Sequence, residues 1–467
     1  MKKKSMNRIT MYNILSTILL QGIAFFTSPV FSRLMGKTNY GIVSIYNTWV
    51  SVISTSFGLQ THSTIAVARN EFPEWEQKAY QSSILSLSLS SYLIFAVIMM
   101  MAISPLSNAM NMAKDIYCIM LLHGLGQFCV TFINMKFTYE FDAEKNFVLS
   151  MVTSLCSVGF SMFLIYLLPK KVNYFGRILG NACTYIFLGI IIIIFVFSSS
   201  KVGYIKKYWT FCIPLCIPIV FHNLSGLILN QSDRIMLQVS TSYATVGVYS
   251  LAYSFGSILS TIWNALNNSW VPFYYDFTRN RQNELIRKHA INYTELYTVL
   301  SIGFILLTPE VYRIFAAEEY WEGTRLISLF SIGFYMIFLY SFAVNYEFFN
   351  KKTKVIAIGT SITALINIVL NLVMIEKYGM KGAAISTAVS YSIQYLFHAI
   401  SAKRIEKTSK VAYQFSMRMF IPYVAIFLCT AFICYHIDNS YTLIRWGTAL
   451  TLGVIELIRV KKRKAIF

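Results

Sequence analysis

The chain has 467 residues, of which 56% are hydrophobic and only 13% charged, with a mean hydropathy of +0.55. A soluble chain carries roughly 25% charged residues, so this composition excludes a soluble globular protein and makes the bilayer the solvent. The net charge of +20 fits basic loops on anionic lipid rather than nucleic acid, because no basic patch interleaved with aromatics sits on a soluble segment.

Only helices and closed barrels satisfy the backbone in hydrocarbon, and barrel strands alternate apolar and polar residues. The runs Ile84 to Ile103 and Ile178 to Phe197 are unbroken, so the fold class expected is all-α integral membrane. Met1 to Arg8 is basic and leads into an apolar run that continues to about Val30 with no small-residue cleavage site. It reads as a retained first helix rather than a signal peptide. Spans are expected near 11–32, 41–62, 82–104, 115–135, 147–168, 177–197 and 209–231 in the first half. The second half gives 246–270, 290–309, 325–348, 355–375, 381–400, 417–436 and 442–460. That makes about 14 transmembrane helices, each long enough to cross the bilayer. No connecting segment is long enough for a soluble domain.

With the N-terminus inside, 28 of the 40 basic residues fall in inside segments and 12 in outside ones. The inside set includes Lys2, Lys3, Lys4, Lys201, Arg279, Lys288, Lys410 and Lys464. This bias predicts a multi-pass protein of the cell (inner) membrane with both termini cytoplasmic. The eight cysteines all lie in apolar runs and none forms a CxxC pair, so they read as small apolar contacts.

An internal repeat is the next signal. Arg33-Leu34-Met35 followed by Tyr40-Gly41 matches Arg234-Ile235-Met236 followed by Val246-Gly247. Tyr174-Phe175-Gly176 likewise matches Lys377-Tyr378-Gly379, at nearly the same offset of about two hundred residues. A duplicated six-helix unit is expected, with both copies in the same orientation because six is even. The domains expected are an N-terminal lobe over 1–200, a C-terminal lobe over 201–403, and two further helices over 404–467.

These residues carry a resemblance. Phe25-Phe26-Thr27-Ser28-Pro29-Val30-Phe31-Ser32-Arg33-Leu34 before Tyr40-Gly41 resembles the polysaccharide and oligosaccharide flippases. So do Pro214 and Pro218 followed by Asp233-Arg234 and Val246-Gly247-Val248-Tyr249-Ser250, and the turn Tyr378-Gly379-Met380-Lys381-Gly382-Ala383-Ala384. That family lies in the multidrug/oligosaccharidyl-lipid/polysaccharide superfamily. The resemblance implies two pseudo-symmetric six-helix lobes in a V around a central cavity, plus two C-terminal helices. It implies a substrate of oligosaccharide on a polyprenyl diphosphate, turned from the cytoplasmic to the outer leaflet. Membrane lipids, glycosyltransferases and a polysaccharide polymerase would be its partners.

No catalytic or cofactor motif stands out. Gly36-Lys37-Thr38 lacks the Walker A glycine, since Phe31 stands at its position, and Gly124-Leu125-Gly126 is followed by Cys129 where a third glycine belongs. The chain is therefore read as a transporter and not an enzyme, with no metal or cofactor.

Polar groups at membrane depth mark candidate sites. Arg33 and Arg234 end the first helices of the two lobes, and their guanidinium forks suit a diphosphate. The alternative is that each snorkels to the outer headgroups. Asp233 adjoins Arg234 and is a ready partner for it. His222 and Asn223 follow Pro218 in the seventh span, where His222 would bind sugar or carry a proton, or simply bond a neighbouring helix, and Asn223 is a substrate-binding candidate beside it. His62 and Arg69 follow the second span and would receive the diphosphate at entry, or serve as loop groups. Glu295 and His123 are the candidates for ion coupling, with His398 similar to them; Glu295 and Glu347 are isolated in sequence, whereas a cation-exchanging exporter would pair its acidic residues. Asn264, Asn267 and Asn268, flanked by Trp263 and Trp270, offer an amide-rich face of the kind sugars need. Two other functions compete: a cation-coupled multidrug exporter of the same superfamily, and a membrane polymerase or acyltransferase enzyme.

Overall fold

The computed structural model describes residues 6–140, 142–200, 203–409, 411–436 and 441–463. Lys2, Lys3, Lys4, Lys201, Lys410 and Lys464 of the charge count lie outside them. Among the described residues there is no strand. The helices are α1 (Met6–Phe57), α2 (Ile65–Glu71), α3 (Gln77–Met101), α4 (Ile103–Ala109) and α5 (Lys114–Tyr139). Next come α6 (Ala143–Leu167), α7 (Asn173–Ser199), α8 (Lys206–Ser240), α9 (Tyr243–Gly256) and α10 (Ile258–Arg279). The chain ends in α11 (Asn283–Phe315), α12 (Thr324–Phe349), α13 (Thr353–Glu406), α14 (Met417–His436) and α15 (Thr442–Arg463).

Ten helices among the described residues are long and apolar enough to cross a membrane, eleven if the bent pair Phe25–Phe57 with Thr61–Glu71 counts as one span. The fourteen expected segments map onto the helices, some of which hold two. At 1.5 Å per residue α1 and α13 would each run roughly 80 Å if straight, more than twice the hydrocarbon thickness. Both break at a glycine of positive φ: Gly36 (φ 73°) in α1 and Gly379 (φ 57°) in α13. Residues with a Cβ rarely take that backbone.

The break at Gly379 folds α13 back on itself. Asn367 Nδ2 donates to Ser390 Oγ at 3.2 Å, Gly359 lies against His398, and Gly382 lies against the Met374 carbonyl with no room for a Cβ. These three pairs are symmetric about residues 378 and 379, the signature of an antiparallel hairpin. α6 and α7 make a second one, with Gly180 against the Ser161 backbone and Gly176 against Ile165. Small residues let the backbones approach, which is where helix association in lipid gains its packing energy.

The last expected span is α15, which is more polar than the others because it carries Arg445, Glu456 and Arg459. Its charges find partners on α11: Arg445 pairs with Glu310, and Arg459 with Glu295. The two pairs run in antiparallel register, roughly 22 Å apart along α11.

The chain divides into two compact units, one of residues 1–27 and 39–227, the other of 28–38 and 228–467. In the first, Ile84, Phe128, Phe132, Cys212 and Cys216 join one buried cluster. The second has an aromatic core. Tyr297 stacks on Phe338 at 4.2 Å, Tyr335 on Phe427 at 4.1 Å, and Trp270 on Tyr274 at 5.8 Å. Outward faces stay apolar, as at Ile94, Phe163, Ile194 and Leu372, which suits a surface solvated by lipid.

Candidate functional site

In the first unit α1 ends in two consecutive left-handed residues, Leu59 (φ 53°) and Gln60 (φ 52°). Neither is glycine, so the turn stores strain that its surroundings must hold. The holding contacts are visible. Gln60 Nε2 donates to the Thr55 carbonyl at 3.0 Å, and Gln60 Oε1 accepts from Asn223 Nδ2 at 2.9 Å. The 3₁₀ turn Thr61–Thr64 then turns polar groups inward. Thr61 Oγ1 lies 2.6 Å from Ser88 Oγ, and Thr64 Oγ1 lies 2.6 Å from the Tyr80 hydroxyl and 3.5 Å from Cys212 Sγ.

His62 sits in this turn, 4% exposed, with its ring 5.8 Å from Phe128 and its Nδ1 unpartnered. Thus His62 and Asn223, far apart in sequence, meet in one neighbourhood through Gln60. His222, next to Asn223, is half-buried with an unpartnered Nδ1. Arg69 is exposed on α2 and lines a cavity of about 630 Å³ with Lys78, Gln77, Gln81, Tyr139 and the carboxylates Glu74, Glu140 and Asp142. Beside it Glu76 accepts from Lys207 Nζ at 2.9 Å and the Tyr208 hydroxyl at 3.0 Å, pinning the start of α8.

His123 is in the core of the same unit. Its Nδ1 lies 3.0 Å from the Tyr46 hydroxyl and its ring 5.1 Å from Tyr185. Glu295, in the second unit, is engaged by Arg459.

Asp233 and Arg234 lie in a buried polar network of the second unit. Tyr249 donates its hydroxyl to the Asp233 carboxylate, which also accepts the Arg234 backbone N–H at 2.8 Å. The Arg234 guanidinium, on a residue 8% exposed, donates to Ser250 Oγ at 3.3 Å and the Asn230 carbonyl at 3.0 Å. It also lies 4.7 Å over the Tyr253 ring. Tyr253 and Tyr391 both donate to Asn230 Oδ1. Asn371 Nδ2 and Ser232 Oγ donate to Asn367 Oδ1 at 3.1 and 3.4 Å. Arg33 belongs to this unit too, but is exposed and donates to the Ile314 carbonyl. The two arginines therefore stand in unlike surroundings.

Reading the sequence missed Asn230, Tyr249, Asn367, Asn371 and Tyr391. The available signal was their spacing: 230 with 234 and 367 with 371 each share one helix face inside an apolar run. It also passed over a smaller cavity of about 280 Å³ lined by Arg313, Arg325, Lys381, Glu322 and Trp321, with Arg313 5.0 Å over the Trp321 ring. Trp270 is a core residue, and Asn267 Oδ1 accepts from Asn345 Nδ2 at 2.9 Å, so helix contacts take up part of the amide-rich face. Among the described residues no three His, Cys, Asp or Glu converge as a metal site.

Residues 8–277 match a protein family described as polysaccharide biosynthesis protein. An uncharacterized membrane protein of Haemophilus influenzae is 23% identical over 371 residues, spanning 74% of this chain and 84% of that one. Lsg locus putative protein 1 of the same organism is 21% identical over 350 residues, spanning 72% and 82%. Among solved structures, the lipid II flippase MurJ in an inward closed conformation aligns with a TM-score of 0.75 at 17% identity, covering 97% of this chain and 99% of that one. A multidrug resistance MATE family transporter of the MOP superfamily, outward-facing, aligns at 0.58 and 14% identity, covering 86% and 96%. These structural likenesses establish the membrane transporter fold.

Proposed function

Since the chain belongs to the polysaccharide biosynthesis protein family, we propose that it is a flippase that moves polyprenyl-diphosphate-linked oligosaccharide from the cytoplasmic to the outer leaflet by alternating access. The observation that carries this reading is the combination of that family with a transporter fold shared over 97% of the chain with a lipid II flippase. The likeness to multidrug transporters covers less of the chain and supports the exporter alternative more weakly.

A charged headgroup cannot cross hydrocarbon unaided, so the protein must offer polar partners. Arg69, exposed on α2, is proposed to receive the diphosphate at the cytoplasmic face. His62, His222 and Asn223 would meet the first sugars. Arg33 would bind the diphosphate directly, and Arg234, held by Ser250 and the Asn230 carbonyl, would complete the path. Both termini are placed in the cytoplasm on the loop-charge bias.

Deleting the gene in its own cell tests the reading. The expected outcome is loss of a surface polysaccharide with accumulation of its polyprenyl-diphosphate repeat unit inside. Unchanged surface polymer together with heightened sensitivity to cationic drugs would favour the exporter instead.

A further inference from the structure

Glu347, near the end of α12, and His398, in the second arm of α13, are both fully buried, with His398 Nδ1 2.8 Å from Glu347 Oε2. They are 51 residues apart in sequence. Their remaining polar atoms, Glu347 Oε1 and His398 Nε2, have no hydrogen-bond partner. Gly359, on the first arm of α13, closes one side, since a Cβ there would stand 2.7 Å from His398 Nε2. The Tyr340 ring lies 5.6 Å from the imidazole, and Phe397 packs at 5.2 Å. The titratable groups that sense Glu347 from the surrounding elements are Tyr340 and Tyr413, and neither phenol brings a positive charge. The nearest cations along the chain, Lys351, Lys352, Lys403 and Arg404, stand at the helix ends.

A carboxyl and an imidazole together have three charge states. With one proton between them they are neutral overall, as an ion pair or as a neutral hydrogen bond. Without it the pair is negative, and with a second proton it is positive. Net charge is costly where water cannot reach, so the sealed pair holds one proton. The proton belongs to the pair and not to either residue. As a mere fastener the pair is a poor choice. An apolar pair of the same volume would join α12 to α13 without stranding two buried polar atoms. Those two atoms are what a site needs if water, and with it a proton, is to enter in another conformation.

We propose that Glu347 and His398 form a proton-binding site of the second unit, neutral and sealed in this conformation, that loads and releases one proton as the transporter cycles. The coupling to transport rests on the flippase reading above, whereas the proton site itself does not. Neither Glu295, engaged by Arg459, nor His123, bonded to Tyr46, has this arrangement.

Two measurements test it. The first is infrared difference spectroscopy of the purified full-length protein in lipid nanodiscs across pH steps. The expected result is a carboxylic-acid band that appears and disappears with pH, is absent in Glu347→Gln, and moves to a different pH in His398→Gln. The second is flipping in proteoliposomes under an imposed pH gradient with the membrane potential clamped at zero. The parental rate should change several-fold with the direction of the gradient, and Glu347→Gln should flip at one rate regardless. Gln keeps the shape of Glu, and His398→Gln serves alone if Glu347→Gln does not fold. Identical infrared bands in the parental protein and the variant would overturn the proton site. Bands as expected, with parental flipping indifferent to the gradient, would overturn its coupling. No flipping by the parental protein at all would count against the flippase reading, while the infrared bands would still decide the proton site.

Discussion

Asn223 on α8 donates its side-chain amide to Gln60 at 2.9 Å, and Gln60 is the second of the two left-handed residues that end α1. One hydrogen bond thus ties the middle of the seventh span to the strained turn that places His62. Removing the donor by Asn223→Ala leaves the Gln60 oxygen without that partner. Interhelical hydrogen bonds in membranes contribute about 0.6–2 kcal/mol. The variant should lose about that much stability in a detergent melt, and flip more slowly because His62 is no longer fixed. A melt and a rate both equal to parental would show that Asn223 does not hold the turn.

The turn at Gly379 makes a sharper prediction. Its φ of 57° with ψ of −134° is a backbone that a Cβ disfavours, at a cost of about 1–3 kcal/mol. Gly379→Ala should therefore lower thermal stability, although open space surrounds the position. Gly303 on α11 is also in open space but lies inside a helix, so Gly303→Ala should be neutral or stabilising. Equal effects at the two positions would mean that α13 does not turn there.

Arg445 and Glu310 should behave as a unit. Arg445→Ala strands Glu310 in a largely buried place, a loss of up to about 3 kcal/mol. Glu310→Ala added to it should restore part of that loss, because no lone charge remains. A double-mutant cycle in thermal melts measures the coupling. Strictly additive effects would show that the pair does not hold α15 to α11.

Much of this was legible in the sequence. Long apolar runs dictate helices, and the Tyr378-Gly379 turn marks a hairpin, because both depend on local composition. His222, Asn223 and Arg234 stood out as polar residues in or at the end of apolar runs, and His62 as the residue that follows the second span. Pairings across distant helices were not legible. Glu347 looked isolated because its partner lies two helical arms away, and nothing local points Arg459 at Glu295. An aromatic fraction of 16% suits interfacial belts, sugar stacking or a core equally well, and Trp270, Tyr297 and Tyr335 fill the core of the second unit. A ring has the same composition in all three places, and only packing separates them.

Arg33 and Arg234 differ in surroundings and should differ in phenotype. Arg33 is exposed, so Arg33→Ala should keep the fold and slow flipping by roughly tenfold or more, the worth of one charge-assisted hydrogen bond of about 1.5–3 kcal/mol. Arg33→Lys should rescue part of the rate, since it keeps the charge without the planar fork. Arg234→Ala should also lower thermal stability, because Ser250 and the Asn230 carbonyl lose a buried donor. Parental flipping by both alanine variants would reduce these arginines to structural anchors and move the anion site to Arg69.

The most direct measurement is transport by the purified protein in proteoliposomes loaded with a fluorescent polyprenyl-diphosphate oligosaccharide, read by a quencher that reaches only the outer leaflet. A flippase should turn the lipid across the bilayer faster than empty vesicles or Arg33→Ala protein, and free polyprenyl diphosphate should compete. Movement no faster than in empty vesicles, with cationic drugs exported by the same preparation, would contradict the flippase reading.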